Sequence, residues 1–274
     1  MEENCEQYES AVMGDSVVTR QGTASDILAI AAHRDDVEQT CGGTLLKMAE
    51  RGHRTAILDL TQGEMGTRGS VDDRAREADE AARILKVSWR RALDIPDGRV
   101  ENTFSNRIKV ASVIRELRPR VLILPYWQAR HPDHATASVL GYEAAFLAGL
   151  AKLGHSGATA DIPPEELKAL CSFPPHRPYK IVYASLYADA RPSFVVDISE
   201  QFETRFAALM AYHSQYQDQS AGSGLFPRQA EIRERLAAMA AFYGLLAGVQ
   251  YAEPFVQKEV GLVEDLLAIP VQSL

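Results

Sequence analysis

Two short stretches of the sequence concentrate side chains that bind metals and transfer protons. "AHRDD" follows the apolar run "DILAIA", and "HPDH" comes shortly after "VLILP". Their histidines and aspartates are His33, Asp35, Asp36, His131, Asp133 and His134. Two imidazoles and one carboxylate form a ligand set that suits Zn²⁺ and leaves one coordination position open for water or substrate. No cysteine cluster is available to close the site, so the pattern predicts a catalytic zinc site.

The two aspartates of the first stretch can take separate roles, because neighbouring loop residues point in different directions. One of Asp35 and Asp36 binds the metal, and the other faces the metal-bound water. A carboxylate within hydrogen-bond reach of that water acts as a general base. The metal lowers the pKa of the water toward about 7, so water becomes the nucleophile at neutral pH.

The two histidines of the second stretch also need different roles. His134 can bind the metal from the start of the following helix. His131, kept charged by Asp133, can stabilise the oxyanion that forms when a carbonyl is attacked. The same imidazole can protonate a departing amine, which an amide nitrogen needs in order to leave.

Simpler roles are open to each of these residues alone. Asp36 and Asp133 can cap the helices that begin nearby, and single histidines usually form only hydrogen bonds within the fold. However, both stretches follow predicted strands, and loops at the carboxyl ends of parallel strands converge at one edge of a sheet. Two His/Asp-rich loops at that edge favour a metal site.

The elements that must position these loops are short apolar runs that alternate with helical patterns. The predicted strands are "DILAIAAH", "TAILDLT", "RRALDIPD", "VLILPYW", "YKIVYASLY" and "SFVVDIS". The predicted helices cover residues 44–51, 72–85, 106–117, 135–153, 200–212 and 228–246. Apolar runs without period-two alternation suit strands covered on both faces. The pattern predicts a Rossmann-like α/β fold, with a mostly parallel sheet sandwiched between helices.

Composition limits the domain organisation and the partners. Hydrophobic residues make up 46% of the 274 residues, which is enough for one large core, so we predict a flexible tail at residues 1–25 and a single domain at 26–274. The net charge of -8 argues against a nucleic-acid partner bound through a broad basic face. No apolar run approaches the roughly 20 residues that span a bilayer, so no membrane partner is expected.

The start of the chain and its cysteines predict a cytoplasmic protein. The first 25 residues are polar and acidic, without the apolar segment of a signal peptide. The three cysteines are widely spaced and include no CxxC pair, so they indicate neither a thiolate zinc site nor a disulfide framework.

Other α/β chemistries lack their motifs. "CGGT" follows the first loop, but G-x-G-x-x-G is absent, and Asp35 and Asp36 would repel a pyrophosphate at the helix start. Neither a G-x-S-x-G elbow nor a P-loop is present. A nicotinamide-dependent enzyme is therefore not expected.

Two arginines near the second predicted strand are candidate clamps for a substrate carboxylate. Arg68 and Arg74 can pair bidentately with such a group. The alternative for each is an exposed arginine at the helix start, paired with Asp72, Asp73 or Glu77. Arg74 is favoured as the clamp if the helix begins near Val71, because its side chain then points back toward the strand ends.

The two loops resemble the motifs A-H-P-D-D and H-x-D-H of the LmbE-like, or PIG-L, family of zinc-dependent N-acetylglucosamine deacetylases. Further stretches resemble one branch, the bacillithiol-biosynthesis deacetylases that act on N-acetylglucosaminyl malate. These stretches are "DLTQGEMGTRGS", "EADEAARIL", "IPDG", "HRPYKIVY", "PSFVVDIS", "AYHSQY" and "YAEPF". The resemblance runs from about residue 27 to residue 255.

The resemblance implies a metal centre and a base. The implied zinc ligands are His33, Asp36 and His134, and the implied general base is Asp35. Iron(II) accepts the same ligand set. Arg34 departs from the family, which usually has proline there, and its charge can alter the electrostatics of the site.

Further residues follow from the same resemblance. His131, with Asp133 behind it, is implied to stabilise the tetrahedral intermediate. Arg74, with Arg68 close by, is implied to bind substrate. A tyrosine near the site is also typical of the family, and the candidates here are Tyr183, Tyr187 and Tyr212.

The expected function is removal of the acetyl group from an N-acetylglucosamine conjugate, most simply N-acetylglucosaminyl malate. Two alternatives stay open: a related amidase acting on another sugar or a mycothiol-like conjugate, and a non-catalytic protein that binds metal or sugar. Family members are often homo-oligomers, and the apolar segment "LVEDLLAIPV" can pack between subunits.

Overall fold

The computed structural model describes residues 24–155, 161–185, 190–216 and 229–269. Nearly all of the predicted tail at residues 1–25 lies outside these ranges, so the tail stays a prediction. One seven-stranded sheet has the order β3-β2-β1-β4-β5-β7-β6. Its strands are β1 (Ile27–Ala31), β2 (Thr55–Asp59), β3 (Trp89–Ala92), β4 (Val121–Pro125), β5 (Lys180–Ala184), β6 (Phe194–Asp197) and β7 (Ala252–Val256).

Strands β1 to β5 pair in parallel, whereas β7 pairs antiparallel with both β5 and β6. The helices are α1 (Asp36–Thr40), α2 (Gly42–Glu50), α3 (Val71–Ile84), α4 (Phe104–Leu117), α5 (Pro132–Ala148), α6 (Pro164–Cys171), α7 (Phe202–Met210), α8 (His213–Tyr216) and α9 (Gln229–Leu245). This architecture confirms the predicted Rossmann-like fold. None of the helices in the described ranges is long and apolar enough to cross a lipid bilayer.

Strand β1 is buried along its whole length and contributes to a hydrophobic core on each face of the sheet. Leu28 and Ile30 belong to one core cluster, and Ile27, Ala29 and Ala31 belong to the other. Because side chains alternate along a strand, both faces must be covered, here by helices. This burial explains why the run "ILAIA" lacks polar alternation.

The strand order places the two predicted site loops side by side. β1 lies between β2 and β4 in the sheet. From β1 the chain first adds β2 and β3 on one side of β1, and it then crosses to the other side to form β4. A gap between neighbouring loops opens at such a switch in strand order, at the carboxyl ends of the strands. The loops after β1, β2 and β4 therefore meet at one place.

The first predicted helix, at residues 44–51, differs from the structure. Two helices, α1 and α2, occupy this region and are separated at Cys41. The glycine pair in "CGGT" begins α2, and its position is explained by a carboxylate from the other end of the chain. Glu253 accepts hydrogen bonds from the backbone N–H groups of Gly43 at 2.9 Å and Thr44 at 2.7 Å. A carboxylate is stabilised at a helix N-terminus by the helix dipole.

The pattern also does not predict β7, which contains Glu253 and Pro254. Both residues are atypical of strands. Glu253 is nevertheless buried, because it binds the start of α2 and forms an ion pair with Arg205 of α7. Nε of Arg205 lies 3.1 Å from Oε1 of Glu253. Gly43 permits this approach, since a Cβ atom there would lie only 3.0 Å from the Glu253 carboxylate.

Candidate active site

Three side chains from the loops after β1 and β4 form a small triangle, to which Asp36 contributes one carboxylate oxygen toward each histidine. The Nδ1 atom of His33 lies 3.1 Å from Nε2 of His134 and 3.5 Å from Oδ2 of Asp36. The other Asp36 oxygen, Oδ1, lies 3.1 Å from Nε2 of His134. Ligands at about 2.0–2.1 Å from a tetrahedral Zn²⁺ are separated by about 3.3 Å. The predicted ligands thus have the spacing that one face of a zinc tetrahedron requires.

The electrostatics of this triangle also suit a cation. Burial opposes a charge on His33, but hydrogen bonds to Asp36 and Asp97 raise its pKa to about 11. The Asp36 pKa is lowered in spite of burial, because His134 and His33 stabilise the carboxylate. The raised pKa of His33 thus reflects the negative charge of the two carboxylates beside it. A bound metal cation would balance the same charge.

Asp97 is a site residue that the sequence analysis did not single out. Its Oδ1 atom lies 3.1 Å from Nε2 of His33, and the contact lowers the pKa of Asp97. With a metal in the triangle, a hydrogen bond from Nε2–H to Asp97 would leave Nδ1 of His33 as the ligand atom. Carboxylates commonly orient metal-binding histidines in this way. The signal in the sequence was "IPDG", which was noted only as part of the resemblance.

Among the described residues, two groups place candidate ligand atoms within 4.8 Å of one another. One group combines His33 with His131 and His134, and the other combines His33 with Asp97 and Asp133. The triangle with Asp36 has separations of 3.1–3.5 Å, but it uses both oxygens of the Asp36 carboxylate, one toward each histidine. The Asp97 group lies at the opposite nitrogen of His33, where a hydrogen bond accounts for the contact. The His33–Asp36–His134 triangle is therefore a candidate metal site.

Asp35 stands beside the triangle and is held by other side chains. The hydroxyl of Tyr216 donates to its Oδ2 atom at 2.6 Å, and Nη2 of Arg74 donates to its Oδ1 atom at 3.2 Å. Gln39 donates to Oδ2 at 3.3 Å. These contacts fix the orientation of Asp35 independently of the metal ligands. The two neighbouring aspartates thus have different contacts, Asp35 with Tyr216 and Arg74 and Asp36 with the two histidines.

His131 lies at the N-cap of α5, and its contacts differ from the expectation. Its Nδ1 atom accepts a hydrogen bond from the backbone N–H of Asp133 at 3.2 Å. The Asp133 carboxylate instead accepts from the backbone N–H groups of Gly98 at 2.8 Å and Val100 at 3.3 Å. This geometry does not give the expected support of a charged His131 by the Asp133 carboxylate.

The charge state of His131 follows from its surroundings. Burial lowers its pKa, and the neighbouring His33 and His134 lower it further. Because Nδ1 accepts a hydrogen bond, the proton of the neutral ring resides on Nε2. His131 can therefore donate a hydrogen bond through Nε2 without carrying a positive charge.

The two candidate clamp arginines are both buried, which excludes the alternative of exposed arginines at the helix start. Arg74 packs against the backbone of Gly63 and contacts Asp35, and its Nε atom has no hydrogen-bond partner. Nη1 of Arg68 donates to the backbone carbonyl of Gln215 at 3.0 Å. Helix α3 begins at Val71 as expected, so Arg74 points toward the strand ends.

The predicted tyrosines occupy different environments. Tyr212 is fully buried and donates to the backbone carbonyl of Arg34. Tyr183 is buried, and burial raises the pKa of its hydroxyl. Tyr187 lies outside the described residues. The tyrosine that contacts Asp35 is Tyr216, which the sequence analysis missed although "AYHSQY" contains it.

Arg34, at the position where the resembling family usually has proline, connects two site loops. Its Nη1 atom donates to the carbonyl of Val71, the first residue of α3, at 3.0 Å. Burial lowers the pKa of this guanidinium, whereas Asp59 opposes the shift. The departure from proline therefore adds a link between the loop after β1 and the helix that carries Arg74.

Comparison with known proteins shows related sequences and structures. A family model described as GlcNAc-PI de-N-acetylase (PIG-L) matches residues 28–145. Diacetylchitobiose deacetylase of Thermococcus kodakarensis is 32% identical over 239 residues, which cover 83% of this chain and 80% of that protein. A crystal structure of a conserved Thermus thermophilus protein is 37% identical, with a TM-score of 0.73, and the match covers 88% of this chain and 98% of that one.

The similarity extends to a protein with a different reaction. The 4-oxalmesaconate hydratase of Pseudomonas putida is 26% identical over 205 residues, which cover 69% of this chain and 73% of that protein. Family membership and fold therefore do not by themselves determine the reaction.

Replacement of Asp97 tests the metal site without any substrate. Asp97→Asn should weaken Zn²⁺ binding by about 10–100-fold, because the His33 ring loses the carboxylate that orients it. Zinc affinity can be measured by competition with a chromophoric chelator. Asp94→Asn is the matched control, since Asp94 is exposed and pairs with Lys109. Equal zinc affinities for Asp97→Asn and the unmodified protein would refute the assignment.

Proposed function

Because this chain belongs to the GlcNAc-PI de-N-acetylase (PIG-L) family, we propose that it is a metal-dependent hydrolase that removes the N-acetyl group from an N-acetylglucosamine conjugate. One observation carries this proposal: three side chains with metal-binding atoms form a triangle, and a separately oriented carboxylate, Asp35, lies beside it. Hydrolysis of an amide requires both a polarised carbonyl and an activated water.

The proposed metal is Zn²⁺, held by His33, Asp36 and His134. When bound, it supplies a Lewis acid that polarises the amide carbonyl and lowers the pKa of the attacking water. Iron(II) accepts the same two-histidine, one-carboxylate set. The metal therefore has to be identified by analysis of the purified protein.

The proposed roles of the protein groups follow from their contacts. Asp35 accepts a proton from the attacking water, while Tyr216 and Arg74 hold both of its oxygens in place. His131 donates from Nε2 to the oxygen that gains negative charge, which places a hydrogen-bond donor where charge develops. The proton taken up by Asp35 is then available to the leaving nitrogen.

The apolar side of the site suits a small acyl group. A cavity lies beside Asp36 and His134, and apolar side chains at the ends of β1, β4 and β5 line it, including Ala31, Ile123 and Ala184. A methyl group gains free energy when it leaves water for such surroundings. This cavity supports acetyl as the group removed.

The finer proposal for the substrate is N-acetylglucosaminyl malate, as in bacillithiol biosynthesis. Arg74 and Arg68 would bind the malyl carboxylates, and the partnerless Nε atom of Arg74 supports an anionic ligand there. An N-acetylated chitooligosaccharide is a second candidate, because one relative is a diacetylchitobiose deacetylase. A mycothiol-like conjugate is a third.

Two further proposals concern the state of the protein. We propose a homo-oligomer, because Val260, Leu262, Leu266 and Leu267 near the chain end are strongly exposed apolar residues. We also keep the proposal of a cytoplasmic location.

A hydratase is a second candidate function, favoured by the similarity to 4-oxalmesaconate hydratase. The same base and metal can deliver water to a carbon–carbon double bond instead of an amide. A non-catalytic binding protein is less consistent with the contacts, because such a protein has no need for the oriented Asp35.

The proposed function is tested by acetate release from a panel of N-acetylated sugars. The panel contains N-acetylglucosaminyl malate, diacetylchitobiose, an N-acetylglucosaminyl inositol and free N-acetylglucosamine. We expect turnover that is lost on chelation and restored by Zn²⁺, with N-acetylglucosaminyl malate preferred. Asp35→Asn should bind zinc and lose at least about 100-fold in kcat, as expected for loss of a general base.

The panel also separates the alternatives. A preference for diacetylchitobiose would support the deacetylase activity and reject N-acetylglucosaminyl malate as the substrate. If the protein releases acetate from none of these sugars but adds water to 4-oxalmesaconate, the proposed function is a hydratase and not a deacetylase.

Replacement of Tyr216 tests the orientation of the base. Tyr216→Phe removes the 2.6 Å hydrogen bond to Asp35. A hydrogen bond to a charged group contributes about 1.5–3 kcal/mol, so kcat should fall by about 10–100-fold. Tyr179→Phe is the control, since Tyr179 is exposed. Steady-state acetate release with the preferred substrate measures the effect, and a kcat equal to that of the control would rule out the role.

A further inference from the structure

The backbone carbonyl of Arg34 is held from two directions. Nη2 of Arg90 and the hydroxyl of Tyr212 both donate hydrogen bonds to it. This carbonyl belongs to the peptide that joins Arg34 to Asp35. It therefore lies between the proposed ligand His33 and the proposed base, at the centre of the loop after β1.

Arg90 is itself fixed by buried carboxylates. Both oxygens of Asp59, at the end of β2, accept hydrogen bonds from Arg90, at 2.8 Å and 3.0 Å. Oε1 of Glu38, in α1, accepts from Nη1 at 2.6 Å. The side chains of Arg90, Asp59 and Glu38 are 5%, 1% and 0% exposed. We call these three residues the Arg90 cluster.

Stability alone does not account for the Arg90 cluster. Charged groups lose hydration when they are buried, and well-packed apolar residues often give equal or greater stability in their place. An apolar side chain at position 90 cannot donate to the Arg34 carbonyl. The planar guanidinium can bind a carboxylate bidentately and still direct a further N–H elsewhere.

The Arg34 peptide controls the direction of the residues that follow it. Asp35 and Asp36 come next in the chain, and a tilt of this peptide rotates both carboxylates relative to His33. The backbone of these two residues is otherwise held by contacts within the same segment, such as the hydrogen bond from the Thr40 hydroxyl to the Asp36 carbonyl, whereas Arg90 and Tyr212 reach it from distant parts of the chain. A displacement of about 1 Å in such groups can cost about 100-fold in rate.

We propose that Arg90 is a positioning residue that fixes the loop carrying Asp35 and Asp36 through the Arg34 carbonyl. Arg90 touches neither the proposed metal ligands nor the substrate, and its effect passes through the backbone. Its effect on kcat rests on the proposed function. Its effect on metal affinity does not, because the loop also carries Asp36.

Arg115 provides a matched control for loss of a buried arginine. It is 3% exposed and donates to the backbone carbonyls of Ala148, Leu170 and Leu150, which lie on or near α5 and α6 and away from the site. Substitution of Arg115 should therefore lower stability in the same manner as substitution of Arg90. Only the effect on the site should differ.

The experiment compares Arg90→Lys with Arg115→Lys. Lysine keeps the charge but cannot bind Asp59 bidentately and the Arg34 carbonyl at the same time. For Arg90→Lys we expect zinc affinity to fall by about 10-fold or more. At saturating zinc, we expect kcat to fall by about 10–100-fold with KM changed by less than about 3-fold. For Arg115→Lys, zinc affinity and kcat should stay within about 2-fold of the unmodified protein, whatever the loss in Tm.

The proposal is overturned if both lysine variants lose zinc affinity and kcat equally at a matched loss in Tm. It is also overturned if Arg90→Lys leaves both quantities unchanged. If Arg90→Lys does not fold, Arg90→Gln is compared with Arg115→Gln, and zinc affinity that falls equally in both variants, or in neither, would overturn the proposal. If the unmodified protein deacetylates no sugar, the proposed function fails, and zinc affinity still decides the role of Arg90.

Discussion

Acidic side chains crowd together at the carboxyl end of β1, and the surrounding structure has to balance their charge. Asp36 and Asp97 contact the two nitrogens of His33 from opposite sides. Asp35 is paired with a guanidinium, and Asp59 and Glu38 share another just behind the loop. Buried carboxylates at this density are stable only when each has a cation or hydrogen-bond donors. The arginines balance the charge on one side, and the histidines with a metal would balance it on the other.

The fold and the proximity of the two His/Asp-rich loops could be predicted from sequence because they depend on local patterns. The apolar runs predict strands covered on both faces, and His/Asp-rich loops that follow two such runs must meet if the runs are neighbours in a parallel sheet. The structure places β1 beside β4, which brings His33 and His134 within 3.1 Å of each other. Strand β7 could not be predicted in this way, since its Glu253 and Pro254 interrupt the apolar pattern.

Partners that come from distant parts of the chain could not be predicted. Asp97 and Tyr216 carry no periodic signal, and only the folded chain shows that one contacts His33 and the other Asp35. The direction of the Asp133 carboxylate is a similar case. Its position in the first turn of α5 lets it bind the backbone near Gly98, and this competes with the expected contact to His131. The spacing of residues in the sequence predicts which side chains lie near one another, but competition among nearby hydrogen-bond donors determines which of them a carboxylate binds.

The carboxylate of Glu253 has a consequence for the order in which the protein is completed during synthesis. It binds the backbone of Gly43, which lies 210 positions earlier in the chain. Arg205, which contacts Glu253, also donates to the backbone carbonyls of Glu38 and Gln39 at the end of α1. A nascent chain therefore contains the first metal-binding loop long before the groups that anchor the helices behind it have left the ribosome. The hydrogen bonds that Glu253 accepts from the start of α2 can form only after β7 has been synthesised.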